Sequence, residues 1–363
     1  MKSLNILFIH RDLPPDSFTG VAIQVHRLAN ALIHLQHKVT VRTFSQKPPE
    51  AEYHVETLTI PLLFKALASL KRLLLPWTLR SATQGGFDIV HIHGDGAFVN
   101  YQSNYIRTFY GTAKMELASS QTLKGKLAQW LSFYFERKEN IKIQKHGCAA
   151  GISRHISSYL PAVTLVVPCM LPEQSARYIN KKTSGPSILY MGSTGSRKRG
   201  EWALQLFIVL KKKFPDLTFY FIGNNITKDE EEYFKMPNHL FDKPVFLSGL
   251  SQEAINALYA ECWIYLSLSS YEGFGVSIIE AMAAKCLVLS TKTPGSESIL
   301  KEGETGYYIN ESTAENLISK NLSNHKERGR IVSQAFKYSE QFKPRTIASR
   351  YAEIYNSLLK VPI

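Results

Sequence analysis

The sequence predicts an α/β protein of two doubly wound domains facing a cleft, and three features carry that reading. With 363 residues the chain is too long for one ordinary hydrophobic core. Short apolar runs alternate with longer stretches of helical periodicity, as in parallel sheets covered on both faces. The alternation then restarts at Ser187-Ile188-Leu189-Tyr190-Met191-Gly192. The stretch before it, 166–184, holds Pro168, Pro172, Lys181 and Lys182 and reads as a linker. The predicted domains are 1–168 and 169–344, followed by a last helix over 345–363.

Leu4 to Ile9 reads as the first strand. Val21 to Leu35 reads as a helix, with Val21, Val25, Leu28, Leu32 and Leu35 on one face. Lys38 to Phe44 and Asp88 to His93 are strands, the latter running into Gly94-Asp95-Gly96. His91 and His93 share a strand face, a spacing compatible with a metal pair, but no third ligand is near in sequence and no metal site is assigned. In the second half a helix is predicted near Trp202 to Phe214. Strands follow at Thr218 to Ile222, Val245 to Leu247, Trp263 to Leu268 and Lys285 to Ser290. The final helix starts at Pro344.

Hydrophobic residues at 44% and charged residues at 20% are ordinary for a globular protein in water. No apolar run reaches the ~18 residues of a membrane span. The start, MKSLNILFIHRD, reads as a strand and not a leader, because Arg11-Asp12 follows without a small-residue cleavage site. Cys148, Cys169, Cys262 and Cys286 lack metal or redox spacing, which fits a reducing cytoplasm. The net charge of +13 is uneven: residues 1–170 hold 19 Lys and Arg against 10 Asp and Glu. That excess points to an anionic partner for the first domain. Two segments, 64–77 and 123–145, mix cations with large apolar side chains. Each either lies in a lipid interface, making the protein peripheral on the inner face of the membrane, or packs on the sheet with its cations solvated. No nucleic-acid motif accompanies the charge, so nucleic acid is not assigned as a partner.

The most informative ten residues are Tyr271 to Glu280, YEGFGVSIIE. Glu272 precedes Gly273-Phe274-Gly275, whose glycines permit a tight turn and a close approach to backbone. Val276 to Ala284 then reads as a helix, following the strand that ends near Leu268. Strand, glycine turn and helix make an anion site, because the first helical amides point outward and the dipole favours negative charge. Gly275, Val276 and Ser277 supply those amides. Glu272 before the helix and Glu280 inside it are placed to accept from sugar hydroxyls.

This passage, continued by Glu280-Ala281-Met282-Ala283 and by Gly303-Glu304-Thr305-Gly306-Tyr307, resembles the donor-binding segment of retaining glycosyltransferases of family 4. Phe18-Thr19-Gly20-Val21, Asp88 to His93, and Gly192-Ser193-Thr194-Gly195-Ser196-Arg197-Lys198-Arg199-Gly200 are similar to further motifs of that family. The resemblance implies the GT-B fold: two Rossmann-like doubly wound domains around a central cleft, with the terminal helix crossing back onto an acceptor-side first domain. It implies a second domain that binds a nucleotide sugar, UDP-glucose or a related UDP-hexose. In that frame Glu272, Arg199 and Lys198 are the catalytic set. Gly20, Gly192, Ser193, Gly273, Phe274, Gly275, Val276, Ser277 and Glu280 bind the donor, Glu280 through the ribose. Anomeric configuration is retained with no cofactor and no metal. The acceptor is a saccharide or lipid-linked saccharide of polysaccharide assembly, with Asp12, Asp16, Asp95, Tyr110 and the 64–80 segment as candidate contacts.

The chain departs from the family pattern at defined places. Thr19 stands for a glycine, Ser193 for an arginine, Arg199 for a lysine and Tyr110 for a histidine. Cys169-Met170 replaces the interdomain Asn-Gly. A guanidinium at Arg199 keeps the charge and grips phosphate bidentately. Tyr110, with a pKa of ~10, donates a hydrogen bond but is a poor base. An epimerase or hydrolase on the same fold, and a non-catalytic sugar-nucleotide binder, are the alternatives these departures leave open.

Overall fold

The computed structural model describes residues 2–59, 86–94, 96–97, 99–117, 122–173, 182–192, 197–223 and 244–360. The expectations placed on the 64–80 segment, Asp95 and Ser193 lie outside those residues. The chain forms two compact units, 1–170 together with 342–363, and 171–341.

In the first unit, strand β1 (Asn5–Ile9) leads to helix α1 (Gly20–His34), then β2 (Lys38–Thr43), β3 (His54–Thr57), β4 (Ile89–Ile92) and β5 (Tyr105–Phe109). Helices α2 (Ala113–Leu117) and α3 (Leu123–His146) follow, then β6 (Cys148–Gly151) and β7 (Val163–Val166). The sheet is parallel with order β3-β2-β1-β4-β5-β6-β7. β1 is flanked by β2 and β4, with Phe8 opposite both Val41 and His91. Chain direction around the sheet reverses there, so the loops after β1 and β4 diverge and open a crevice at their carboxyl ends. β4 and β5 are buried at every position, as strands covered on both faces must be. The helix read from Val21 onward begins at Gly20. Thr19, standing for the family's glycine, caps it by accepting the Ala22 amide at 3.3 Å.

The stretch read as a linker is, in its first part, packed structure. Val167, Cys169, Met170 and Leu171 are buried, and Gln24 brackets Met170 by accepting its amide at 2.8 Å and donating to its carbonyl at 2.9 Å. Its prolines suggested a break, but the apolar side chains between them go into the core.

The second unit runs β8 (Ser187–Met191), α4 (Gly200–Lys213), β9 (Thr218–Ile222), β10 (Val245–Leu247), α5 (Gln252–Glu261), β11 (Ile264–Ser267), α6 (Val276–Ala283) and β12 (Leu287–Ser290). It ends with α7 (Pro294–Ile299), β13 (Tyr307–Tyr308), α8 (Ala314–Ser323) and α9 (His325–Ser339). Its parallel sheet has order β10-β9-β8-β11-β12-β13, with the reversal between β8 and β11. Lys182, read as a linker cation, donates to the carbonyls of Tyr259, Cys262 and Ala284 at 3.1, 2.6 and 3.0 Å. Those carbonyls lie at the C-terminal ends of α5 and α6, where a cation offsets the helix dipole.

Helix α10 (Pro344–Lys360) belongs to the first unit. Its Ile347, Ala348, Tyr351 and Tyr355 join the core formed by Phe8, Val25, Leu28 and Ile106. Tyr355 meets His91 Nδ1 at 2.7 Å, and Tyr351 meets the Thr108 hydroxyl at 2.9 Å.

Candidate functional site

In the second unit the loops after β8 and β11 meet at the switch point. Glu272, largely buried, is held by the Lys198 ammonium, accepts from the Ser269 hydroxyl at 2.8 Å, and has Arg197 Nη1 at 3.9 Å. The two loops are also tied through backbone, since Ser270 N donates to the Arg197 carbonyl at 2.8 Å. Tyr190 donates to the Lys198 carbonyl at 2.8 Å and so fixes the cationic loop from the core. Gly192 is needed there, because a Cβ would stand 2.8 Å from Lys198 Cβ. Arg199 takes another course: it caps α4 in the left-handed region (φ 58°) and sets its guanidinium 5.9 Å from the Trp202 ring centroid.

Gly275 caps α6 at φ 90°, a conformation that side-chain-bearing residues rarely adopt. Val276 and Ser277, next in line, carry the first amides of the helix. Gly273 is partly exposed, whereas Phe274 is buried and anchors the turn. Gly295 buttresses the turn from α7. Its amide donates to the Glu272 carbonyl at 2.9 Å, and a Cβ on it would sit 2.6 Å from the Phe274 carbonyl carbon. Glu280 receives the Tyr259 hydroxyl at 3.4 Å. Burial pushes the Tyr265 phenol up; its hydrogen bond with Ser277 opposes this, and the charges of Glu272 and Glu280 add to it. Ser269, Tyr190, Tyr259, Tyr265 and the buttressing role of Gly295 were not assigned from sequence.

In the first unit a cavity of about 590 Å³ opens at the carboxyl ends of β1, β4 and β5. It is lined by His10, Asp12, Thr19, His93, Tyr110 and Glu136 among others. Asp12 pairs with Arg11 at 2.6 Å. The Tyr110 hydroxyl lies 3.0 Å from His93 Nδ1, and burial raises its phenol well above the usual range. Asp16 and Gly20 are exposed and do not line this cavity. His91 spends both ring nitrogens on Tyr355 and Thr108, at 2.7 and 2.8 Å, which makes it a core residue. His10 Nδ1 and His93 Nε2, both buried, have no hydrogen-bond partner among the described residues. Arg107 donates to the buried Glu139 at 2.9 Å, and any side chain at Gly96 would overlap that carboxylate. Among the described residues no group of three or more His, Cys, Asp or Glu is placed to hold a metal ion.

Helix α3 also exposes Leu123, Leu127, Trp130 and Tyr134, a stripe at helical spacing, while the exposed Leu131 borders the cavity. Lys124, Lys126, Arg137 and Lys138 are exposed along the same helix. No described helix is long and apolar enough to cross a membrane.

Comparisons with known proteins agree with this arrangement. The model for glycosyl transferases group 1 matches residues 173–338, and that for glycosyltransferase family 4 matches residues 18–138. The chain is 27% identical to the poly(glycerol-phosphate) alpha-glucosyltransferase of Bacillus subtilis over 44% of its own length and 24% of that protein. It is 24% identical to the GDP-mannose:cellobiosyl-diphosphopolyprenol alpha-mannosyltransferase of Komagataeibacter xylinus, over 67% of the chain and 63% of the relative. It thus spans less than two thirds of either curated relative. Among solved structures it superposes on Anabaena HepE in complex with UDP-glucose with a TM-score of 0.71 at 15% identity, covering 98% of this chain and 100% of that one. It superposes on sucrose-phosphate synthase from Thermosynechococcus elongatus with a TM-score of 0.75 at 16% identity, covering 97% and 98%. With one model matched in each unit and the GT-B fold shared along nearly its whole length, the chain belongs to glycosyltransferase family 4.

Proposed function

We propose that the chain is a retaining, metal-independent hexosyltransferase. It moves a hexose from a UDP-sugar, UDP-glucose or a close relative, to a saccharide or lipid-linked saccharide in polysaccharide assembly. The observation that carries this reading is the convergence of Lys198, Arg197 and Ser269 on Glu272 beside the glycine-capped start of α6. Breaking the anomeric C–O bond puts negative charge on the departing diphosphate. The amides of Gly275, Val276 and Ser277, with Lys198, stabilise that charge, the helix terminus alone contributing ~0.3–1 kcal/mol. Glu280 holds the ribose hydroxyls and Glu272 orients the hexose. The acceptor hydroxyl bonds to the anomeric carbon on the face the diphosphate leaves, and its proton passes to the leaving phosphate oxygen. No protein base is then required.

The lipid-linked acceptor is supported by the stripe on α3 and its flanking cations, and by a relative named for a diphosphopolyprenol acceptor. The stripe docks on an anionic phospholipid surface, each nearby Lys or Arg contributing about 1 kcal/mol. The deciding experiment is transfer from UDP-[13C]glucose to cell-envelope lipid extract, with the linkage read by NMR. An α-configured product supports the proposal. A β-configured product, or free glucose alone, sinks it.

A further inference from the structure

We propose that the first-unit cavity is a subsite for one uncharged sugar ring of the acceptor and turns away anionic rings, with His10, His93 and Glu136 setting that choice. The proposal rests on the reading of the chain as a glycosyltransferase. The cavity, about 590 Å³, falls among ordinary small-molecule sites of ~300–1,000 Å³. It lies where the strand order reverses, the usual ligand position in doubly wound sheets.

Two features of its wall call for a polar, uncharged occupant. His10 Nδ1 and His93 Nε2 are buried without partners among the described residues, whereas buried polar atoms are normally paired. They mark the place of a ligand hydroxyl or of a water held with it. Tyr110 pairs with His93 Nδ1 at 3.0 Å, so Nε2 is the ring nitrogen left to meet a ligand, a donor when Tyr110 donates to Nδ1 and an acceptor when Nδ1 carries the proton. Both rings are neutral near pH 7: burial pushes His10 down to about 4 and His93 well below the usual histidine range. They therefore offer hydrogen bonds without the charge that would attract a phosphate or a uronate.

The charged groups of the lining act in the same direction. Among the described residues that line the cavity, the acids are Asp12, Glu116, Glu136 and Glu139 and the cations are Arg11 and Arg107. Arg11 is engaged by Asp12 and Arg107 by Glu139. Glu136 accepts the Ala113 amide through both oxygens, at 3.1 and 3.0 Å. Burial pushes its carboxyl up to about 7; Glu139 and Glu116 act the same way, and the Ala113 amide and Arg107 oppose. His10, His93 and Tyr110 line the same cavity, the two rings and the phenol adding no charge. Below about pH 7 Glu136 carries a proton and donates; above it, its charge adds to the repulsion of an anionic ring. A first unit with a basic outer helix thus has an acidic interior pocket.

The test uses the whole chain and saturation-transfer NMR with methyl glucoside, methyl galactoside and methyl glucuronide at pH 6 and pH 8. UDP-glucose binding is measured in parallel. The neutral glycosides should bind, and the glucuronide about tenfold more weakly at pH 8, with the gap narrowing at pH 6. Glu136→Gln should abolish the pH dependence of that gap. His93→Phe should weaken the neutral glycosides about tenfold and leave UDP-glucose binding intact. Equal binding of the glucuronide, or a pH-dependent gap that survives Glu136→Gln, overturns the proposal. So does the absence of glycoside binding in a protein that binds UDP-glucose. Glycoside binding without UDP-glucose binding would leave the subsite standing and overturn the donor assignment instead.

Discussion

Lys198 and Glu272, 74 positions apart, form an ion pair that joins the cationic loop after β8 to the glycine turn after β11. The pair is largely shielded, and Ser269 adds a second hydrogen bond to the same carboxylate oxygen. The polar groups on both sides of the switch point are thus ordered by one another before any ligand arrives, which favours preorganised charge stabilisation.

Glu272→Ala should lower turnover more than affinity, because the role proposed for its carboxylate is to orient the hexose and not to hold the nucleotide. A hydrogen bond to a charged group is worth roughly 1.5–3 kcal/mol, a loss of about ten- to hundredfold in kcat. UDP itself should bind within about threefold of wild type. Steady-state kinetics with a parallel UDP titration checks both halves.

Glu280→Ala should do the opposite and weaken UDP about ten- to hundredfold. The Tyr259 hydroxyl that now reaches Glu280 would lose its acceptor. Unchanged UDP affinity would remove Glu280 from the ribose.

Gly295→Ala should disable the site without touching a ligand. Its Cβ would stand 2.6–2.7 Å from the backbone of Phe274, so the glycine turn must move. Overpacking of this kind costs about 1–3 kcal/mol. The urea midpoint should fall, and UDP affinity with it. Gly303→Ala, at a glycine with open space around it but φ 70°, should cost stability alone.

Stability should depend on pH through two groups of opposite sign. His10 titrates near 4 in the folded chain against 6.5 unfolded, so its contribution is complete above pH 6.5 and is lost as pH falls toward 4. At about 1.36 kcal/mol per unit this reaches about 3 kcal/mol. Glu136 is raised from 4.5 to about 7, so its contribution is present below pH 4.5 and is lost as pH rises through 7. Urea melts between pH 4.5 and 7 should therefore fall more steeply with rising pH in His10→Phe than in wild type. They should rise more steeply in Glu136→Gln.

Much of the frame was readable because parallel strands buried on both faces are continuous apolar runs. Thr218–Ile222 and Val245–Leu247 lie where the pattern put them, and other ends moved by one or two residues. The glycine turn was readable because its two glycines and two glutamates are close in sequence. Ser269, Tyr265 and Gly295 were not, because their roles come from contacts between separate loops. His91 and His93 had the right common face, but Tyr355 takes one of them from 264 positions away. Lys182 looked like a solvated linker cation because nothing local reveals the three carbonyls that surround it.

The central claim, that the second unit binds a UDP-hexose without metal, is tested most directly by calorimetric titration of UDP-glucose in excess EDTA, with GDP-mannose as comparison. Saturable binding of UDP-glucose, stronger than that of GDP-mannose and unchanged by chelation, is the predicted result. Binding that vanishes with EDTA, or a clear preference for GDP-mannose, would contradict it.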